Sequence, residues 1–162
     1  MSRRIAFAAV VLTLVAGCAA PLRGTGDLGV VVERADGRVM VVESTTSTQL
    51  ASVPGLGDLS HAALVYSRDE RFAFVFGRDG GLTKVDVLSG SIAGRVVQSG
   101  NSIGGAISQD GSMVAVANYT PGGIKVFDTA TLALVADIPA LGADGKPSKV
   151  IGIADLPGRK FI

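Results

Sequence analysis

The chain has 162 residues, 22 of them glycine, with 48% hydrophobic and 5% aromatic side chains, no tryptophan and a net charge of +1. So near-neutral a balance leaves no electrostatic footprint for nucleic acid or an anionic lipid surface. A single cysteine excludes an internal disulfide, a Cys-x-x-Cys site and the Cys-x-x-Cys-His attachment of c-type heme.

The N-terminus reads as an export signal. Arg3 and Arg4 give a positive start, Ile5 to Ala16 is an apolar run of 12 broken only by Thr13, and Val15-Ala16-Gly17 sets small residues before Cys18. Twelve residues are too few to span a bilayer as a mature helix. The pattern is that of a bacterial lipoprotein signal over residues 1–17, with Cys18 lipidated and serving as the new N-terminus. An ordinary cleaved secretory signal ending near Cys18 is the alternative. Loss of Arg3 and Arg4 takes the charge from +1 to −1. Either reading exports the domain. The first places it in the periplasm, touching the membrane only through the acyl chains, which together anchor stably where one would not.

Residues 18–26 read as a linker. From Asp27 on, helical periodicity is almost absent, and short Val-, Ile-, Ala- and Phe-rich runs alternate with Asp-Gly, Ser-Gly, Pro-Gly and Gly-Gly turns. The chain also repeats. Asp36-Gly37-Arg38-Val39-Met40-Val41-Val42-Glu43 matches Asp79-Gly80-Gly81-Leu82-Thr83-Lys84-Val85-Asp86 at an offset of 43, Ser67-Arg68-Asp69 matches Ser108-Gln109-Asp110 at 41, and Asp86 matches Asp128 at 42. Four-stranded units of this length are β-propeller blades. The predicted strands are 62–66, 72–76, 82–85 and 92–97 in one blade and 106–108, 113–117, 124–127 and 132–138 in the next. Residues 28–53 supply the latter part of a preceding blade, and 149–162 open another. The expected architecture is all-β, a partial propeller over 27–162 with blades at about 27–56, 57–99, 100–142 and an incomplete 147–162. A propeller closes with typically four to eight blades, so three to four imply the N-terminal part of a longer ring, inactive and aggregation-prone by itself.

Strand parity sorts the loops. In an up-and-down blade, the connection into the first strand and the turn between the second and third lie at one end. His61, the only histidine, therefore shares an end with Arg78, with Asn101 and Ser102, and with Asn118, Tyr119 and Thr120 of the Asn-Tyr-Thr-Pro-Gly-Gly turn. The Ser-x-Asp turns at Asp69 and Asp110, and the strand-end Asp86 and Asp128, fall at the other end. A polar, loop-rich end on a rigid scaffold is a usual place for a ligand site. A lone histidine is also an ordinary hydrogen-bonded loop residue, and Arg78 can simply lie over an Asp-Gly turn, although its repeat counterpart is Ala35. Asn118 and Tyr119 can equally shape the Pro121-Gly122 turn. Asp86 and Asp128 read as turn formers bonding their own backbone. Gly104-Gly105 precedes no helix and is no phosphate loop, and Ser67 and Ser108 lack a nucleophile elbow.

Three stretches are more specific: Gly57-Asp58-Leu59-Ser60-His61, Phe76-Gly77-Arg78-Asp79-Gly80-Gly81-Leu82-Thr83-Lys84-Val85-Asp86, and Gly100-Asn101-Ser102-Ile103-Gly104-Gly105-Ala106. They resemble the cytochrome d1 type propellers and, from Arg23 to Ala140, more closely the heme d1 biosynthesis members of that family. The resemblance implies His61 as axial ligand of a heme iron, Arg78 gripping tetrapyrrole carboxylates, and Asn118 and Tyr119 at the macrocycle edge. It implies heme d1 or dihydro-heme d1 as bound substrate or product, and a periplasmic role in denitrification. A late side-chain oxidation, by a dehydrogenase-like oxidoreductase, and transfer of a d1 precursor are both compatible with it. The partners implied are the tetrapyrrole and nitrite reductase or other d1-assembly proteins. One departure stands out: Ala62-Ala63-Leu64-Val65 carries no arginine after the histidine, where the d1 domain of nitrite reductase has one, and these residues show no sign of the heme c domain that complete cytochrome cd1 nitrite reductases carry. The family's distal ligands would lie beyond Ile162. A non-catalytic propeller binding another ligand or a partner protein is the alternative.

Overall fold

The computed structural model describes residues 25–162; the expected signal and Cys18 lie outside the described residues. After a short 3-10 turn at Thr25–Asp27, every regular element is a β-strand. Strands β1 (Leu28–Glu33), β2 (Arg38–Glu43) and β3 (Thr48–Val53) form one antiparallel sheet. Strands β4 (Ala63–Tyr66), β5 (Phe72–Phe76), β6 (Gly81–Asp86) and β7 (Ser91–Val97) form the second. Strands β8 (Asn101–Ile107), β9 (Met113–Thr120), β10 (Ile124–Asp128) and β11 (Leu134–Ile138) form the third. A two-stranded ribbon, β12 (Asp155–Leu156) with β13 (Lys160–Phe161), follows. No helix among the described residues is long and apolar enough to cross a membrane.

The sheets meet face to face. Successive side chains on a strand point to opposite faces, and β5 places both sets against neighbours. Ala73 and Val75 join Val39, Val41, Val53, Leu56 and Leu59 on the first sheet's side. Phe74 and Phe76 join Ile107, Val114, Val116 and Phe127 on the third sheet's side. Every residue of β6 is buried. Each fully buried phenylalanine contributes about 2–3 kcal/mol, so the inter-sheet layers dominate the stability. Gly105 belongs to this packing: a Cβ there would stand 2.2 Å from the Ala115 carbonyl oxygen and 2.5 Å from the Phe76 ring.

The sequence repeat is also a repeat of hydrogen bonds. Pairing slips at Val41/Val42, Lys84/Val85 and Val126/Phe127, the same position in all three sheets, and such bulges raise local twist. Glu43, Asp86 and Asp128 close β2, β6 and β10 by accepting the amides two and three residues on. In both Ser-x-Asp turns the serine hydroxyl donates to the aspartate at 2.6 Å and accepts the amide that starts the next strand.

The main difference from the predicted strands is β8, which starts at Asn101 rather than Ala106, while β9 runs on to Thr120. Asn101, Ser102, Asn118, Tyr119 and Thr120 are therefore strand residues rather than loop residues.

Candidate functional site

The loop between β3 and β4 carries His61 and is fixed at both edges. Leu56 and Leu59 are buried, the Asp58 carbonyl accepts the Arg78 amide at 2.7 Å, and the Leu59 carbonyl accepts the Ala62 amide at 3.0 Å. Arg95 reaches across from β7: its guanidinium donates to the Leu56 carbonyl and pairs with the Asp79 carboxylate. Gly57, at φ +85°, makes room for that pair, since a Cβ would stand 2.1 Å from Asp79 Oδ2 and 2.5 Å from Arg95 Nη2. Asp79 also accepts the Gly81 amide at 3.0 Å. The histidine loop and the Arg78 turn are thus one hydrogen-bonded unit.

His61 and Arg78 line the same cleft, of about 520 Å³, together with Arg34, Asn101, Ile103 and Tyr119. Arg34 enters from the turn between β1 and β2, the counterpart in the first sheet of the Arg78 turn. The repeat sets Ala35, not Arg34, opposite Arg78, and the signal for Arg34 in the sequence is only an arginine two residues before the repeated Asp36-Gly37 turn. Among the described residues neither Arg34 nor Arg78 makes a salt bridge. With Asp79 held by Arg95, Asp58 is an acid within electrostatic reach of both Arg78 and His61. Its carboxyl is held below the usual carboxylate range, first by Ser60, whose amide donates to Oδ1 at 2.9 Å, and further by the charges of Arg78 and His61.

Asn101, Ile103 and Tyr119 reach the cleft because β8 and β9 pair irregularly there. Asn101 faces Thr120, Ser102 faces Asn118 and Gly104 faces Ala117. Tyr119 and Ile103 are thereby each left over between paired neighbours, and bulges of this kind re-aim side chains beside functional sites. Ser102 turns inward and donates to the Gly77 carbonyl at 2.8 Å. Tyr119 is steadied by Lys149, whose ammonium donates to the phenol oxygen at 2.7 Å and sits 4.0 Å from the ring centre.

Asn118 does not line the cleft. It is fully buried; its amide exchanges hydrogen bonds with the Gln98 amide at 2.8 and 3.2 Å and accepts from the Ser99 hydroxyl at 2.7 Å. Asn101 is the opposite case, with Oδ1 buried and lacking a hydrogen-bond partner. Among the described residues no three His, Cys, Asp or Glu side chains converge to hold a metal ion.

The chain is 61% identical to the curated Protein NirF of Pseudomonas aeruginosa over 159 residues, 96% of this chain and 41% of that protein. Protein NirF of Stutzerimonas stutzeri is also 61% identical, over 100% of this chain and 42% of its own length. Dihydro-heme d1 dehydrogenase of Pseudomonas aeruginosa is 33% identical over 82% of this chain and 27% of its own. The chain thus spans about two-fifths of the first two relatives. Among solved structures, dihydro-heme d1 dehydrogenase NirN in complex with DHE superposes with a TM-score of 0.77 at 31% identity, covering 85% of this chain and 29% of that one. Hydrazine synthase of Kuenenia stuttgartiensis, at 19% identity and a TM-score of 0.63, shares the fold alone over 75% of this chain and 38% of its own. The stacked antiparallel sheets are therefore part of a d1-type β-propeller, and with residues 23–162 matching the Cytochrome D1 heme domain, the chain belongs to that family.

Proposed function

We propose that the cleft binds a d1-type tetrapyrrole, heme d1 or its dihydro precursor, and that the protein acts in heme d1 biosynthesis, in a late side-chain oxidation or in transfer of the precursor. The observation that carries this reading is the meeting in one cleft of one imidazole with two guanidiniums that make no salt bridge among the described residues. One histidine is too few ligands for a bare metal ion, yet it is enough for an iron already held by four macrocycle nitrogens. Arg34 and Arg78 suit the ring's carboxylates, which a guanidinium grips through two parallel hydrogen bonds. Asp58, within electrostatic reach of His61, is placed to orient the imidazole, as carboxylates beside metal-bound histidines do. Asn118 acts from behind, by fixing the strand that carries Tyr119. Any redox chemistry would belong to the tetrapyrrole, with the protein supplying position and electrostatics. The names of the relative solved with DHE and of the dihydro-heme d1 dehydrogenase of Pseudomonas aeruginosa support the same substrate class.

The remaining proposals rest on the repeat and on the signal-like residues 1–17. The sheets are blades over about 27–56, 57–99 and 100–142, with 147–162 opening a fourth. The protein works in the periplasm, tethered through Cys18, and meets nitrite reductase or other d1-assembly proteins there. Labelled palmitate should enter the protein and not its Cys18→Ala variant.

Adding dihydro-heme d1 to the protein should shift the ligand's Soret band, and His61→Ala should change the bound spectrum. An identical spectrum in the variant would remove axial ligation. Arg78→Lys should weaken binding without altering the iron spectrum.

A further inference from the structure

Two asparagines stand on neighbouring strands at the cleft end, and the structure treats them in opposite ways. The Asn118 amide is matched at both ends by Gln98 and Ser99. The Asn101 Oδ1 is shielded from water and accepts from nothing, although the residue lines the cleft beside Arg78 and Tyr119. Buried acceptors without a donor are rare in folded proteins, and each destabilises the molecule that keeps it. This one sits where the β8–β9 register slips between Asn101 and Ser102 and again between Ser102 and Gly104. A register broken twice to present a residue whose acceptor is unmatched costs stability for no gain in the ligand-free protein.

We infer that Asn101 is a ligand-contacting residue of this cleft, its side-chain carbonyl accepting a hydrogen bond from an O–H group delivered with the ligand at the carboxylate-bearing edge between Arg78 and Tyr119. The inference rests on the tetrapyrrole reading above and adds a selecting contact to it. The second torsion of asparagine is broad, so a turn of the amide brings Oδ1 to the cleft when a donor arrives. The O–H belongs to a water that the ligand carboxylate holds in place, because a carboxyl beside Arg78 stays ionised and has no proton to donate. Apolar cleft walls would accept any flat ring, whereas an acceptor that stays unmatched without its donor discriminates against ligands lacking one.

The test uses iron protoporphyrin IX, which carries two propionates, and its dimethyl ester as probes, with Asn101→Leu and, as comparator, Asn118→Leu. Leucine keeps the approximate shape and removes the unmatched acceptor. Asn101→Leu should therefore leave the thermal midpoint of the ligand-free protein unchanged or raised, and weaken binding of the free-acid probe about tenfold. Asn118→Leu should lower the midpoint clearly. A carboxylate holds that water more tightly than an ester does, so Asn101→Leu should weaken ester binding less than free-acid binding. Unchanged binding of both probes by Asn101→Leu, or a midpoint drop as large as that of Asn118→Leu, would overturn the inference while the tetrapyrrole reading stands. Failure of the unsubstituted protein to bind either probe or dihydro-heme d1 would instead remove the tetrapyrrole reading itself, and this inference with it.

Discussion

At the end of the blades away from the cleft, Glu43, Asp86, Asp110 and Asp128 each accept from backbone amides, and in three of the four also from hydroxyls, within a few residues. At the cleft end, Arg34 and Arg78 lie exposed and make no salt bridge among the described residues, and Asn101 keeps a buried acceptor unmatched. Both ends are made by the same repeat and both are polar. The first end directs its polar groups at its own backbone, and those groups specify turns. The second leaves Arg34, Arg78 and Asn101 directed at space, which is the arrangement expected where a charged ligand completes the hydrogen bonding.

The sharpest test of this contrast is Asn118→Leu, the matched amide at the ligand end. It leaves the Gln98 Oε1 and the Ser99 hydroxyl proton without their buried partner, and should cost about 3 kcal/mol in urea denaturation. A loss below about 1 kcal/mol would mean that the amide pair is not structural. Arg95→Ala comes next, at about 2 kcal/mol, since it removes charge-assisted hydrogen bonds to Leu56 and Asp79. Tetrapyrrole binding should weaken with it, because the His61 loop loses its strap, and wild-type affinity would show that the loop is held without Arg95.

The carboxylate end makes a smaller prediction, read with pH. The Ser108 hydroxyl, with the Ser112 amide and hydroxyl, lowers the Asp110 carboxyl to about 2, and the Thr46 hydroxyl and amide lower Glu43 to about 2. A folded value below the unfolded value of ~4 means that the stabilisation is complete above that pH and is lost as pH falls toward about 2. Acid unfolding followed by circular dichroism should fall in this window, and Ser108→Ala should move it to higher pH. An unmoved transition would show that the Ser-x-Asp turn does not govern it. Smallest of all, Arg34→Ala and Arg78→Ala should change stability by no more than about 0.5 kcal/mol, while weakening tetrapyrrole binding about tenfold. A large stability loss in either would return that arginine to the structural group.

The repeat and the strands were legible in the sequence wherever side chains announce them. Phe72–Phe76 is predicted and observed with the same bounds, because its alternation of large apolar groups buries both faces. Asp86 and Asp128 read as turn formers and are turn formers, a property of the side chain and the next three residues alone. The start of β8 was not legible. Asn101-Ser102-Ile103-Gly104-Gly105 has poor strand propensity, and it becomes a strand because β9 offers a partner and Phe76 occupies the space beside Gly105.

The sequence by itself determined the all-β repeat, its period, and which loops share an end, since blade parity follows from strand count and needs no coordinates. It also carried the family resemblance in the stretches around His61, Arg78 and Asn101. Only the tertiary structure decided which polar side chains at that end are already hydrogen-bonded and which are not. It drew Arg34 into the cleft from a different sheet, turned Asn118 inward to Gln98, and left Asn101 facing the cleft without a donor. The physical reason is that hydrogen-bond satisfaction depends on partners 20 or more residues away, and on a register slip that no local propensity encodes.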